Sequence, residues 1–299
     1  MSTELSEKFK VKALNELRED DLRKKQALEQ FREWISKQGH IKNCRTDDNF
    51  LLRFLRVKKY TNASAFKMLE NFLARLQLYP NWFKNLYFND ERIMELYECG
   101  FIFPLKERDE NGCRVIMIQA SKLDTNKFTM ADVLKIINFV IFTLLEEDET
   151  QISGFVYIFD NAEISFDFIS MFSLIDLKNY MSCIENAIPC RQKCGIWINL
   201  PNFAVKLLDF IKSLVNKKLR DRGYFYHDAE KLNNHVDLKI LPKELGGQVP
   251  ISEMMADFKE IALKMESKLR TIEEIKIDLD YMKNCESGDA ESFRKLEID

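Results

Sequence analysis

Apolar positions along the first 80 or so residues recur at helical spacing and nowhere alternate as a half-buried strand would. DDLRKKQALEQFREWISKQ predicts one helix, with Gly39 placed to stop it. DDNFLLRFLRVKK predicts a second, with Thr46 as N-cap and two aspartates in a first turn where the helix dipole favours them. TNASAFKMLENFLARLQLYP predicts a third amphipathic helix, closed by Pro80.

The period changes near residue 100. FIFPL reads as a short strand, DENG at 109–112 as a turn and CRVIMIQA as a second strand. Thr129 and Asp132 have capping-box spacing and open an apolar helix running to about Glu146. GFVYIFD is continuously apolar, the pattern of a parallel strand buried on both faces. Two helical segments follow between about 165 and 188, then the strand GIWIN, a helix from Asn202 and a short strand at LKI. From residue 251 the chain reads helical and charged. Alternating strand and helix predicts an α/β fold with a mostly parallel sheet behind an all-helical N-terminal domain. The expected boundaries are 1–90, 91–250 and 251–299, with no internal repeat or low-complexity linker.

Composition narrows the class. At 46% hydrophobic and 12% aromatic residues, with 23 Phe, the chain has ample material for a core and is not a disordered one. Seven scattered cysteines suit reduced thiols in an intracellular protein. MSTELSEKFKVK lacks an apolar h-region, so no signal peptide is expected. The longest apolar run, IINFVIFTLL, is about half of what a membrane span needs. A cytoplasmic protein is the expectation.

Net charge is −3, which argues against nucleic acid as a partner, but the cations are clustered. KSLVNKKLRDR, residues 212–222, carries five cations and one anion, and Arg53, Arg56, Lys58 and Lys59 form a second knot. Each suits a localised anionic ligand, although a solvated helix face has equal claim to either alone. In PCRQKCGIWIN an extended chain puts Arg191 and Lys193 on one face and Cys190, Gln192 and Cys194 on the other. Four residues of strand span roughly 13 Å, too far for a disulfide, so the thiols read as small buried hydrophobes. On the helix over 203–216 the apolar residues cover a sector of roughly 160°, wide for a helix packed on one sheet. An ordinary core helix accounts for it; so does a helix covering an apolar cavity or touching a bilayer. Lys218 and Arg222, four apart, share a face if that helix continues.

Catalytic signatures are missing. There is no GxGxxG, no GxxxxGK[ST] and no GxSxG, and His40, His227 and His235 have no zinc spacing to a cysteine pair. His227 beside Asp228 makes a poor base and orienter, and Asp160 at a strand end reads first as a cap or turn residue. No enzyme, metal or cofactor is expected.

Taken in order, DDNFLLRFLRVKKY, DENGCRV, QISGFVYIFD, IPCRQKCGIWINLPNF, KKLRDR and LPKELGG, from about residue 47 to 247, resemble the CRAL-TRIO lipid-binding proteins. The likeness is greatest to the tocopherol-transfer and retinaldehyde-binding branch, especially its insect members. It implies a helical domain, then an α/β domain with a deep apolar pocket covered by a mobile amphipathic helix, which residues 203–215 match. It also implies a basic cleft for phosphoinositide headgroups, whose positions match Lys58, Arg191, Lys193, Lys218 and Arg222, all basic here. Three positions depart from the family pattern: Cys113 stands for an arginine, Ser213 for a lid proline and Gly223 for an isoleucine. Without that proline the lid helix is expected to run on more continuously, and headgroup capture on its extension is expected to loosen it.

For the pocket wall, the apolar spacing nominates Leu134, Ile137 and Ile141 on one helix face, Phe155 and Phe159 on the central strand, then Phe166 and Phe172. Phe203, Leu207, Phe210, Ile211 and Leu214 are nominated for the lid, with plain core an equal account of each. A cavity of Phe, Ile and Leu favours an elongated apolar ligand such as a tocopherol, retinoid or carotenoid. The leading expectation is a monomeric, non-enzymatic carrier that docks transiently on phosphoinositide membranes. Phospholipid exchange, with phosphatidylinositol or phosphatidylcholine inside, and a lipid-regulated scaffold are the alternatives.

Overall fold

The computed structural model describes residues 5–281. Helix α1 (Glu7–Lys12) runs into a π-helical turn, Ala13–Leu17, and the chain reverses at Arg18 in the left-handed region, φ 62°. Helix α2 (Asp21–Lys37) starts on Asp20, whose carboxylate accepts from the Arg23 N–H, and β1 (Ile41–Lys42) follows. Helix α3 (Asp48–Val57) is capped by Asp47 rather than Thr46: the Asp47 carboxylate, 3.1 Å from the Phe50 N–H, competes better for that orphan donor than a hydroxyl. Then come α4 (Asn62–Leu78), α5 (Pro80–Phe83) and α6 (Glu91–Glu98), with Pro80 ending one helix and opening the next.

Helix α3 is buried all round from Phe50 to Arg56. Arg53 and Arg56 therefore do not join a surface basic knot; they are 1% and 0% exposed. Arg53 donates to Glu146 at 2.8 Å, while Arg56 donates to Glu19, Asp148 and Gln151. A buried guanidinium needs such partners to offset its desolvation. Only Lys58 and Lys59, beyond the helix end, remain at the surface.

The sheet begins with β2 (Ile102–Pro104) and β3 (Arg114–Gln119), an antiparallel pair turning through Asp109–Gly112. Helix α7 (Met130–Leu144) opens with the expected Thr129–Asp132 capping box, and α8 (Asp148–Ser153) leads into β4 (Phe155–Asp160). Next are α9 (Phe166–Ser170), α10 (Leu174–Asn186), β5 (Gln192–Ile198), α11 (Val205–Leu214), α12 (Lys217–Arg220) and β6 (Gly223–Phe225). Strand order is β2-β3-β4-β5-β6, parallel from β3 onward. Crossovers of one hand between successive neighbours put the connecting helices on a single face. The opposite face, Val115, Met117, Val156, Ile158, Ile196 and Ile198, packs under Leu232, Val236, Leu241 and Met254.

Helix α13 (Ile251–Glu273) and β7 (Lys276–Ile277) complete the described chain; residues 282–299 of the expected helical tail lie outside it, as do residues 1–4 of the expected leaderless N-terminus. One core cluster runs from Ala27 through Phe142 to Ile277, so helices of the N-terminal, central and C-terminal segments share it. Two strand expectations change. LKI at 238–240 forms a 3-10 turn with Leu238 46% exposed, whereas β6 and the β1–β7 pair, each too short to show alternation, are strands. Among the described residues no helix is long and apolar enough to cross a membrane.

Candidate functional site

Between the helical face of the sheet and α7, α9, α10 and α11 lies a cavity of about 310 Å³, lined almost wholly by apolar side chains. Its floor is an aromatic ladder across three strands. Phe159, Trp197 and Phe225 are register partners, with stacked rings 4.5 and 4.7 Å apart. Leu134, Ile137 and Ile141 form the α7 wall, and Phe172 closes the side after α9. Phe155 and Phe166 do not line it. Phe155 shares the face of Phe159 but is fully buried in the main core, with Tyr157 on the same strand taking the cavity position. Phe166 is 70% exposed on the outer side of α9, while Phe168 and Ile169 turn inward.

Helix α11 closes the cavity with Leu208 and Ile211, joined by Ala204 just before the helix and Val215 just after it. Of the nominated lid residues whose side chains the structure describes, only Ile211 lines the cavity. Phe203 is 47% exposed, with its ring 6.4 Å from that of Phe166, Phe210 is half-buried away from the lining, and Leu214 packs on the main core. The Leu207 side chain lies outside what the structure describes. The broad apolar sector is thus divided between an inward and an outward face. Nor does the helix run on: Val215 is extended, φ −107° and ψ 150°, and Asn216 caps a separate α12 through the Leu219 N–H. Lys218 lies on that short helix and Arg222 beyond it, so they do not share one continuous helix with the lid. Gly223 starts β6 under the Phe225 ring.

The cations converge on Lys218. Burial first, then the charges of Arg222, Lys59, Arg191 and Lys58, push the Lys218 ammonium below its ordinary value. Four of the five nominated cleft residues are thus neighbours, joined by Lys59, whose place within a charge-rich run did not set it apart. Among the described residues no carboxylate forms an ion pair with Lys58, Lys59, Lys218 or Arg222. Arg222 donates to the Gln192 carbonyl and also lines the cavity, so cleft and cavity share a wall.

Arg191 and Lys193 stand at the other edge, Arg191 just before β5 and Lys193 as the unpaired residue where the β5 register shifts opposite Phe155 and Val156. Both reach one carboxylate, Glu16, at 2.6 and 2.8 Å, while Gln192 and Cys194 face the cavity. Gly154 permits this approach: its φ is +89°, and a Cβ there would overlap the Arg191 carbonyl. The cysteines are incidental; Cys190 and Cys194 are free, and burial pushes their thiols up to about 12 and about 11. Asp160 accepts from the Ala162 N–H and the Asn199 amide, a turn role, and His227 pairs with the Leu200 carbonyl. Glu16 and its third partner Lys12, 2.8 Å away, carried no signal in the sequence, since Glu16 and Arg191 are 175 residues apart.

An apolar cavity in an α/β domain, bordered by clustered cations, is the mark of a lipid-binding protein. A model of the CRAL/TRIO domain family matches residues 98–247. Clavesin-1 of Rattus norvegicus is 31% identical over 244 residues, covering 81% of this chain and 69% of the relative. Clavesin-2 of Homo sapiens is 28% identical over 251 residues, covering 84% and 77%. The crystal structure of Sfh5 superposes with a TM-score of 0.54 at 14% identity, covering 79% of this chain and 92% of Sfh5, a likeness of fold. The chain belongs to the CRAL/TRIO family.

Proposed function

We propose that this protein is a non-enzymatic, monomeric cytoplasmic carrier of an elongated apolar molecule of tocopherol, retinoid or carotenoid type. It docks transiently on membranes through phosphoinositide headgroups bound by Lys58, Arg191, Lys193, Lys218 and Arg222. The observation that carries this reading is the shared wall: an apolar cavity of about 310 Å³ bordered at Arg222, which together with Lys58, Lys59 and Lys218 has no carboxylate partner among the described residues. A phosphate-rich headgroup suits convergent donors, arginine especially. At about 1 kcal/mol per cation near an anionic surface, docking is weak enough to reverse. Phe166 and Phe203, exposed side by side on α9 and before α11, supply an apolar contact for the bilayer next to the cavity.

Phospholipid exchange is the second reading, favoured by Arg222: a lipid with its chain in the cavity would place its phosphate there. Incubation with tocopherols, retinoids, carotenoids, sterols and phospholipids, then extraction and mass spectrometry, separates the two. Near-stoichiometric isoprenoid supports the carrier reading, a retained phospholipid replaces it with exchange, and an empty cavity removes both.

A further inference from the structure

Glu16 occupies the place of an anion. One Oε2 accepts from Arg191 at 2.6 Å and Lys193 at 2.8 Å, and Oε1 pairs with Lys12 at 2.8 Å. Burial raises the carboxyl's pKa, but hydrogen bonds from Lys12, Lys193 and Arg191 outweigh it and hold the acid well below the carboxylate range. The neighbouring cations, Lys58, Lys59, Lys218 and Arg222, have no such partner among the described residues. The cleft therefore has an open half and a half whose cations already share one carboxylate of the chain itself.

The element that carries Glu16 packs apart from the main core. Helix α1 and its π-helical turn rest on a small cluster, Phe9, Ala13, Leu17 and Ile152, separate from the main core. Gly112, at φ +76°, lets the Phe9 ring lie against the backbone there, where a Cβ would come within 2.8 Å. Past Leu17 the chain turns at Arg18, and Glu19 is tied down by Arg56. Arg18 thus stands between an acid tied down by Arg56 and one resting on a satellite cluster, with the Glu19 N–H bonded back to the Ala13 carbonyl.

We propose that Glu16 is a resident counter-ion that sets the headgroup specificity of the cleft: a ligand phosphate reaches Arg191 and Lys193 only by displacing it. The inference rests on reading the cationic cleft as a headgroup site. A phosphate monoester carries up to about two negative charges against one on the carboxylate, so the exchange favours phosphate. A headgroup with one added phosphate is served by the open half alone; a second phosphate gains the two cations that Glu16 holds.

The test compares the full chain with Glu16→Gln on phosphatidylcholine vesicles containing a phosphatidylinositol monophosphate or a bisphosphate. Glu7→Gln, which changes net charge equally at an exposed position of α1, is the control. Wild type should prefer the bisphosphate, and Glu16→Gln should bind the monophosphate roughly fivefold more tightly, narrowing that preference. Unchanged or weaker binding by Glu16→Gln overturns the proposal, as does an equal gain from Glu7→Gln. Hydrogen exchange on wild type reads the same event without a mutation: soluble inositol polyphosphate should speed exchange across 7–17, and unaltered exchange overturns displacement. Wild type that binds neutral and phosphoinositide vesicles alike refutes the cleft itself; selective wild type with a silent Glu16→Gln refutes only the role of Glu16.

Discussion

Arg56 grips Glu19 through two parallel hydrogen bonds, 2.9 Å from Nε to Oε2 and 2.8 Å from Nη2 to Oε1, in a site where the guanidinium has no exposure. The pair fastens the N-terminal segment to the central helix α3. Among the described residues Glu19→Ala leaves that guanidinium Asp148 alone as an acidic partner, and it should cost about 3 kcal/mol. Urea denaturation measures it; a loss under about 0.5 kcal/mol, usual for surface changes, would show the segment to be ornamental.

Glu146 sets an acid limit on stability. Burial raises its carboxyl, but Arg53 and Arg45 bring it down to about 2 from an ordinary 4.5. Between those values the unfolded chain binds more protons than the folded one, so stability falls as pH falls. The contribution is complete above the unfolded value of 4.5 and lost as pH drops through about 2. Wild type should exceed Glu146→Gln by about 3 kcal/mol at neutral pH, and the gap should narrow toward about pH 3. A gap constant with pH contradicts the assignment.

Filling the cavity should separate lipid retention from folding. Ile137 is half-buried on the cavity face of α7, so Ile137→Trp has space to grow into. Retained lipid should fall at least about tenfold, with a stability change below about 1.5 kcal/mol. Undiminished lipid would place the ligand elsewhere.

Removing open cations should weaken docking in proportion to charge. Lys58→Ala with Lys218→Ala should cost about 2 kcal/mol on phosphoinositide vesicles and flatten the salt dependence. Co-sedimentation at two ionic strengths reads both, and retained affinity would exclude these lysines from the contact.

Gly154 sets the course of the chain at Arg191. Gly154→Ala meets a positive φ of +89° and the Arg191 carbonyl together, so it should destabilise by at least about 1 kcal/mol. Affinity for anionic vesicles should fall with it as Arg191 moves; an Ala variant matching wild type in both would remove the glycine from the site.

Much of the architecture was legible because it rests on local pattern. The capping box at Thr129, the continuous apolar run of β4 and the helical spacing of α2, α3 and α4 are short-range signals that tertiary contacts reinforced. Direction within the site was less legible. The wide apolar sector over 203–216 announced an unusual helix, but only the packed position of α11 decides that Leu208 faces the cavity and Phe203 faces out. The break at Val215 was hidden as well, since nothing in Ser213, Leu214 and Val215 forbids a helix.

Charge shows the same division most plainly. Composition and spacing determined that cations cluster at 53–59, 191–193 and 212–222, because such runs are visible along one dimension. Which of them remain available was decided only by folding. Arg53 and Arg56 sit on the buried sides of α3 and are consumed by Glu146 and Glu19, whereas Lys58, Lys59, Lys218 and Arg222 meet from beyond the end of α3 and from α12 and its exit, with no acid paired to them among the described residues. Arg191 and Lys193 share Glu16, brought to them across 175 residues of chain. Coulomb energy depends on distance in space, and distance in space is what a sequence read along its length does not contain.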